Sequence, residues 1–347
     1  MKEQVHGGDV YRHPDAIDFS SNMNPLGTPQ SVVKAGQRAM ELIARYPDVQ
    51  CETLKTALSR AEQVPKEWLI CGNGAAEVVF TFVHACMPKK AVMPAPTFAE
   101  YGLALDSIGC EIDRVILREE DGFTMPDTAA FTSQITEETD VAFFCNPNNP
   151  TGILTKKQQL LEILRHCRKT HTRLFVDECF LDFVEDPERD SLKELLGEYP
   201  ELILLKAFTK RYAMAGIRLG YGISSDGALL SRMQACVQPW NLSIPAQEAG
   251  TAALQETAYV EKGRALIRKE RTWLRSQLQE MGLKLYDSTA NYIFFQGPKG
   301  LTEDCLASGI LIRNCSNYEG LTEGYYRVAV KLHEENEKLV EALKQVL

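Results

Sequence analysis

The sequence predicts an α/β fold: a large domain around a mainly parallel central sheet, followed by a smaller C-terminal α/β domain. Short β-rich runs alternate with longer helical patterns, the order that builds β-α-β units. At 347 residues the chain exceeds the size at which one hydrophobic core stops growing, so two unequal domains are expected. A long helical stretch then leads into a tail with two β-like runs and a closing helix. No Pro/Ser-rich linker marks a boundary. The expected division is an N-terminal arm over 1–27, a large domain over 28–254 and a small domain over 255–347.

In chain order, strands are predicted at Ala91–Pro94, Arg114–Leu117, Val141–Cys145, Leu174–Val176, Leu202–Leu205 and Arg218–Ile223. Helices are predicted between them, at Gln30–Ala44, Ala75–Cys86, Lys156–Thr170 and Ala228–Cys236. Gln247–Gly282 reads as nearly continuous helix, interrupted only by Gly250 and Gly263. Asn291–Phe295 and Tyr326–Val330 are the late strands, and Glu334–Val346 the terminal helix.

Apolar residues make up 44% and charged residues 24%, which is ordinary globular usage. A net charge of −9 and a pI near 5.4 argue against nucleic acid or an anionic membrane as main partner. A few buried arginines could still set a local field for an anionic substrate. The first residues contain no signal-peptide pattern, and runs such as Val78–Val83 are too short to span a bilayer. A cytoplasmic protein is expected. Ten cysteines are scattered with no C-x-x-C pair, so buried reduced thiols are expected rather than disulfides or a metal site.

Four segments carry chemistry. In LKAFTKRYAMAGIRLGYG (205–222) a strand ends near two lysines. A lysine that attacks an aldehyde must be partly desolvated, so that some of it is neutral. Lys210 is preferred to Lys206, because Thr209 and Arg218 around a small-residue turn could meet a phosphate. In FFCNPNNPTG (143–152) an apolar strand runs into a turn, where ligands gather at strand carboxyl ends, and Asn149 could donate its amide. In RLFVDECF (173–180), Asp177 closes an apolar strand, where an unpaired carboxylate is costly and a cationic ring nitrogen would supply its partner. In CGNGAAEVVF (71–80), Ala75 and Ala76 would offer helix N-terminal amides to an anion. Each segment also has a plain reading as surface lysines, turn chemistry, a structural ion pair or a glycine turn.

In this order and spacing, the segments resemble the fold-type I pyridoxal-phosphate enzymes of the aminotransferase superfamily over nearly the whole chain. The resemblance implies that Lys210 forms an imine with pyridoxal 5'-phosphate, Asp177 pairs with the pyridine nitrogen and Asn149 bonds the ring oxygen. It also implies that Phe98 of APTFAEY stacks on the ring, with Ala75, Ala76, Thr209 and Arg218 on the phosphate. Tyr46 of ARYPD matches a tyrosine that reaches a neighbouring subunit's cofactor, which implies a homodimer with shared sites. Two positions depart from many relatives: Phe180 stands where tyrosine is common, and Ala207 where serine is.

The ends of the chain narrow the reaction. HGGDVYR, FSSNMNPLG and GILIRNCSNYEGL…YYRVAVK resemble the threonine-phosphate decarboxylases of the cobalamin pathway, a group close to the histidinol-phosphate aminotransferases. Arg327 and Arg313 match substrate-anion arginines, with His6 and Asn24 as further candidates from the arm. The expected substrate is a phosphoamino acid, threonine phosphate or serine phosphate. An aminotransferase built from the same parts stays open, as does a binding module without catalysis.

Overall fold

The computed structural model describes residues 6–125 and 127–347. Seven strands form the central sheet: β2 (Leu69–Gly72), β3 (Lys90–Ala95), β4 (Glu111–Ile116), β5 (Val141–Cys145), β6 (Arg173–Asp177), β7 (Leu202–Ala207) and β8 (Gly220–Ile223), after a short β1 (Ile17–Asp18) elsewhere. Their spatial order is β2-β8-β7-β6-β5-β3-β4, and β8 alone runs antiparallel to both its neighbours. Such a sheet must be covered on both faces, which is why its inner strands β5, β6 and β7 read as largely apolar runs while the edge strand β4, EIDRVI, does not. Alternate residues divide between two cores: Ala142, Phe144, Val176 and Leu204 on one face, Val141, Phe143, Phe175 and Ile203 on the other.

A second sheet, ordered β12 (Arg313–Asn314), β13 (Tyr325–Ala329), β10 (Tyr292–Gln296) and β9 (Lys284–Leu285), is antiparallel throughout. It packs with the end helix His333–Val346 and with Ile267, Leu274 and Leu278 of helix Thr257–Glu280 around a smaller core. Part of the segment expected as an N-terminal arm enters this layer. β1 pairs in parallel with β11 (Ile310–Leu311), and Phe19 is fully buried in the smaller core.

Three expectations need correction. The long helix is two helices, Ile244–Ala253 and Thr257–Glu280, broken at residues 254–256 rather than at a glycine. Gly250 and Gly263 lie inside helices because neighbours press on them. An added Cβ would sit 2.3 Å from Leu219 Cδ2 at the first and 2.5 Å from Asn24 Nδ2 at the second. The first helix stops at Ala39 and tightens into a 3₁₀ turn, Met40–Leu42, short of the expected Ala44. The strand expected from Arg218 starts at Gly220, since Arg218 itself has φ +60°, outside the extended region.

Candidate active site

β5, β6 and β7 end side by side, with Cys145 opposite Asp177 and Asp177 opposite Leu205. Above these carboxyl ends lies a cavity of about 330 Å³, roofed by the smaller domain and the N-terminal segment. Of the residues singled out in the sequence, it brings together Lys210, Asp177, Ala75, Ala76, Phe98, Asn149, Thr209, Arg218, Arg313, Arg327 and His6. Phe180 and Ala207, the two departures, also face it.

The two lysines of the 205–222 segment differ in kind. Lys206 lies on β7, buried, with Glu62 at 3.3 Å and Glu178 at 3.7 Å, and these carboxylates outweigh the cost of burial and raise its ammonium above the ordinary lysine range. Burial, the largest influence on Glu62, pushes it up, yet Lys206, Lys193 and the Tyr221 hydroxyl hold it down to about 2. This is a structural ion cluster. Lys210, on the one-turn helix Phe208–Arg211, has no ion-pair partner among the described residues. Burial, reinforced by the positive charges of Arg327 and Arg218, lowers its amine to about 8.

Asp177 is 4% exposed, and burial raises its carboxyl above the usual range. It is not without partners, as the apolar strand had suggested. Tyr101 Oη donates to Oδ2 at 2.6 Å and the Cys179 N–H to Oδ1 at 2.8 Å. No cation pairs with it among the described residues, so its charge stays available to a cationic ligand nitrogen.

The phosphate-sized corner is built by close approach. Helix Ala75–Cys86 has no side-chain cap, which leaves its first N–H groups for an anion. Gly74 sits at φ +85°, and a Cβ there would meet Arg218 Nη2 at 2.4 Å; one on Gly220 would meet the Ala75 nitrogen at 2.5 Å. Only glycine at both positions lets guanidinium, strand and helix start converge. Asn146 and Asn148 lock the turn after β5 through Thr155 and the Pro96 carbonyl, which leaves Asn149 facing the cavity. Asn149 Oδ1 accepts from Arg327 and, at 3.4 Å, from Tyr318 Oη, so its NH₂ is the end left to donate.

Arg313 and Arg327 enter from β12 and β13. Both are buried, at 6% and 5% exposure, and neither has a carboxylate partner among the described residues. Arg327 donates to the Ser20 carbonyl at 2.9 Å and Arg313 to Asn317 Oδ1 at 2.9 Å. His6 stands at the mouth, 3.6 Å from Glu100. Asn24 does not line the cavity: its Nδ2 bonds the Arg211 carbonyl at 3.0 Å and its backbone N–H the Lys210 carbonyl at 3.1 Å, so it anchors the lysine's turn. Tyr46 also lies outside, 77% exposed and stacked on Trp240 at 4.5 Å.

The sequence reading missed Asn22, Glu100, Tyr101 and Tyr318. Asn22, Glu100 and Tyr318 line the cavity, and Tyr101 lies behind Asp177. A signal existed for Tyr101: it follows Phe98 by three residues at a helix start, the spacing of same-face neighbours.

A buried amine near neutrality, a buried carboxylate and an anion corner on strand ends of a parallel sheet define a fold-type I pyridoxal-phosphate enzyme. The chain belongs to the family described as aminotransferase class I and II, whose model matches residues 14–343. Its cofactor is pyridoxal 5'-phosphate. It is 38% identical to threonine-phosphate decarboxylase of Salmonella typhimurium, over 99% of this chain and 96% of that one. It is 33% identical to histidinol-phosphate aminotransferase of Symbiobacterium thermophilum, over 100% and 96%. The solved histidinol-phosphate aminotransferase of Clostridium acetobutylicum superposes with a TM-score of 0.88 at 29% identity, covering 94% of this chain and 98% of that one.

Proposed function

We propose that the protein decarboxylates an O-phosphorylated amino acid, L-threonine O-3-phosphate or its serine analogue, to an amino-alcohol phosphate and carbon dioxide for the cobalamin nucleotide loop. The observation that carries the reading is the buried, uncompensated pair Arg313 and Arg327 beside Lys210, which calls for a ligand with two anionic groups. The 38% identity to a threonine-phosphate decarboxylase over the whole chain supports the choice of reaction.

When bound, pyridoxal phosphate supplies an electron-accepting ring joined to the substrate's amino group. Arg218, Thr209 and the Ala75 and Ala76 amides would hold its phosphate, Phe98 would cover a ring face, Asn149 would donate to the ring oxygen and Asp177 would keep a proton on the ring nitrogen. Arg313 and Arg327 clamp carboxylate and phosphate, with His6 closing the mouth, and so orient the Cα bond that breaks. Lys210, with an amine near 8, would take the proton that the substrate's ammonium gives up and deliver it to Cα in place of the departed carboxylate. Two chains assemble as a homodimer in which Tyr46 serves the partner's site; Met40, Ile43 and Tyr46, exposed along one stretch, support such a covered face.

The 33% identity to a histidinol-phosphate aminotransferase favours a second reading, amino transfer from an amino-alcohol phosphate. The two separate in one assay. Holoenzyme given threonine phosphate releases carbon dioxide without a keto acid; amino transfer from histidinol phosphate to 2-oxoglutarate at a competitive rate would replace the first reading by the second.

A further inference from the structure

Tyr101 is fully buried, and its ring is held on several sides. It stacks on Phe143 at 5.2 Å and meets Phe98 edge-on at 5.5 Å. Its hydroxyl has one short hydrogen bond, 2.6 Å to Asp177 Oδ2. The other carboxylate oxygen takes the Cys179 N–H. Around Asp177 also lie the Cys145 and Cys179 thiols and the Glu100 carboxyl, with Lys210 across the cavity.

From this geometry we infer that Tyr101 is a positioning residue that keeps Asp177 ionised, so that the shared proton stays on the cofactor's ring nitrogen rather than moving to the carboxylate. A carboxylate buried among apolar groups prefers to be neutral, and burial does raise Asp177. Each donor it accepts opposes that preference. The Cys179 N–H is fixed by the backbone and its thiol is a weak donor, so the Tyr101 hydroxyl is the strong side-chain donor that adjusts the balance. With that donor removed, Asp177 would itself hold the proton on Oδ2 instead of keeping it at the ring nitrogen, and the electron-accepting chemistry the cofactor supplies would weaken. Phe98 and Tyr101 share one helix start, so ring cover and proton control come from one element. The inference rests on the proposed pairing of Asp177 with the ring.

The test is the ¹⁵N resonance of ring-labelled cofactor in holoenzyme, read for wild type, Tyr101→Phe and Asp177→Asn. Expected are a protonated ring in wild type and a shift to the unprotonated position in both variants. Tyr101→Phe should also lower kcat at least tenfold with KM little changed and the thermal midpoint kept, because phenylalanine preserves the ring stack. A ring still protonated in Tyr101→Phe while Asp177→Asn shifts it would overturn this inference alone. A ring unmoved in Asp177→Asn would overturn the pairing of Asp177 as well.

Discussion

Arg313 and Arg327 stand directly opposite each other across the β12–β13 pair, two buried arginines in register with no carboxylate partner among the described residues. Like charges opposite one another on adjacent strands are destabilising, and buried charge without a counter-ion is more so. The smaller domain carries that cost at the cavity wall, where the doubly anionic substrate proposed above would relieve it.

Arg327→Ala should therefore lower kcat/KM for threonine phosphate by about 10- to 100-fold, the range of a charge-assisted hydrogen bond. Arg313→Ala should do likewise. Both variants should be no less heat-stable than wild type without ligand, since each relieves a repulsion. Steady-state kinetics and thermal melts check this; a clear loss of stability in either variant contradicts it.

The two lysines should part company on substitution. Lys210→Ala should abolish turnover and the visible band of bound cofactor. Lys206→Ala should keep the band but leave Glu178 buried without its cation and Glu62 with Lys193 alone, at a cost of about 3–5 kcal/mol in denaturant unfolding.

The amine of Lys210, lowered to about 8, sets a pH profile for cofactor capture. Only the neutral amine attacks an aldehyde, and it gains population as pH rises. Recombination of apoprotein with pyridoxal phosphate should therefore quicken from pH 6.5 to about 8 and then level off. Stopped-flow absorbance gives the rate, and a profile still climbing towards pH 10 would mean an ordinary, solvated lysine.

Glu62 makes a separate prediction for acid. Its folded value, about 2, lies below the usual 4.5, so its contribution is complete above the unfolded value and is lost as pH falls through the folded one. Stability should decline between about pH 4.5 and 2, and Glu62→Gln should flatten that part of the curve in equilibrium unfolding.

Much of the fold was legible because its strands are buried on both faces. VAFFC is apolar throughout and LILLKA is so but for Lys206, and only a sheet covered on both sides demands such runs. The strand-end site was legible too, since Asp177, Asn149 and Lys210 each follow such a run. What stayed hidden depends on contacts distant in sequence. Gly250 and Gly263 looked like helix breakers, but they record the approach of Leu219 and Asn24. Asp177 looked unpaired because its donor, Tyr101, lies 76 residues away. Asn24 looked like a ligand contact because a short polar motif does not reveal which way its amide turns.

β1 finds its partner only at β11, so the first strand among the described residues waits for the chain's last quarter. During synthesis the central sheet can assemble while Ile17–Phe19 remain undocked. Ser20, whose carbonyl receives Arg327, then reaches its place late, together with the arginine itself. Ribosome-bound or prematurely ended chains would thus carry the lysine and the aspartate without the anion clamp. Substrate recognition, on this topology, is the last property a nascent molecule acquires.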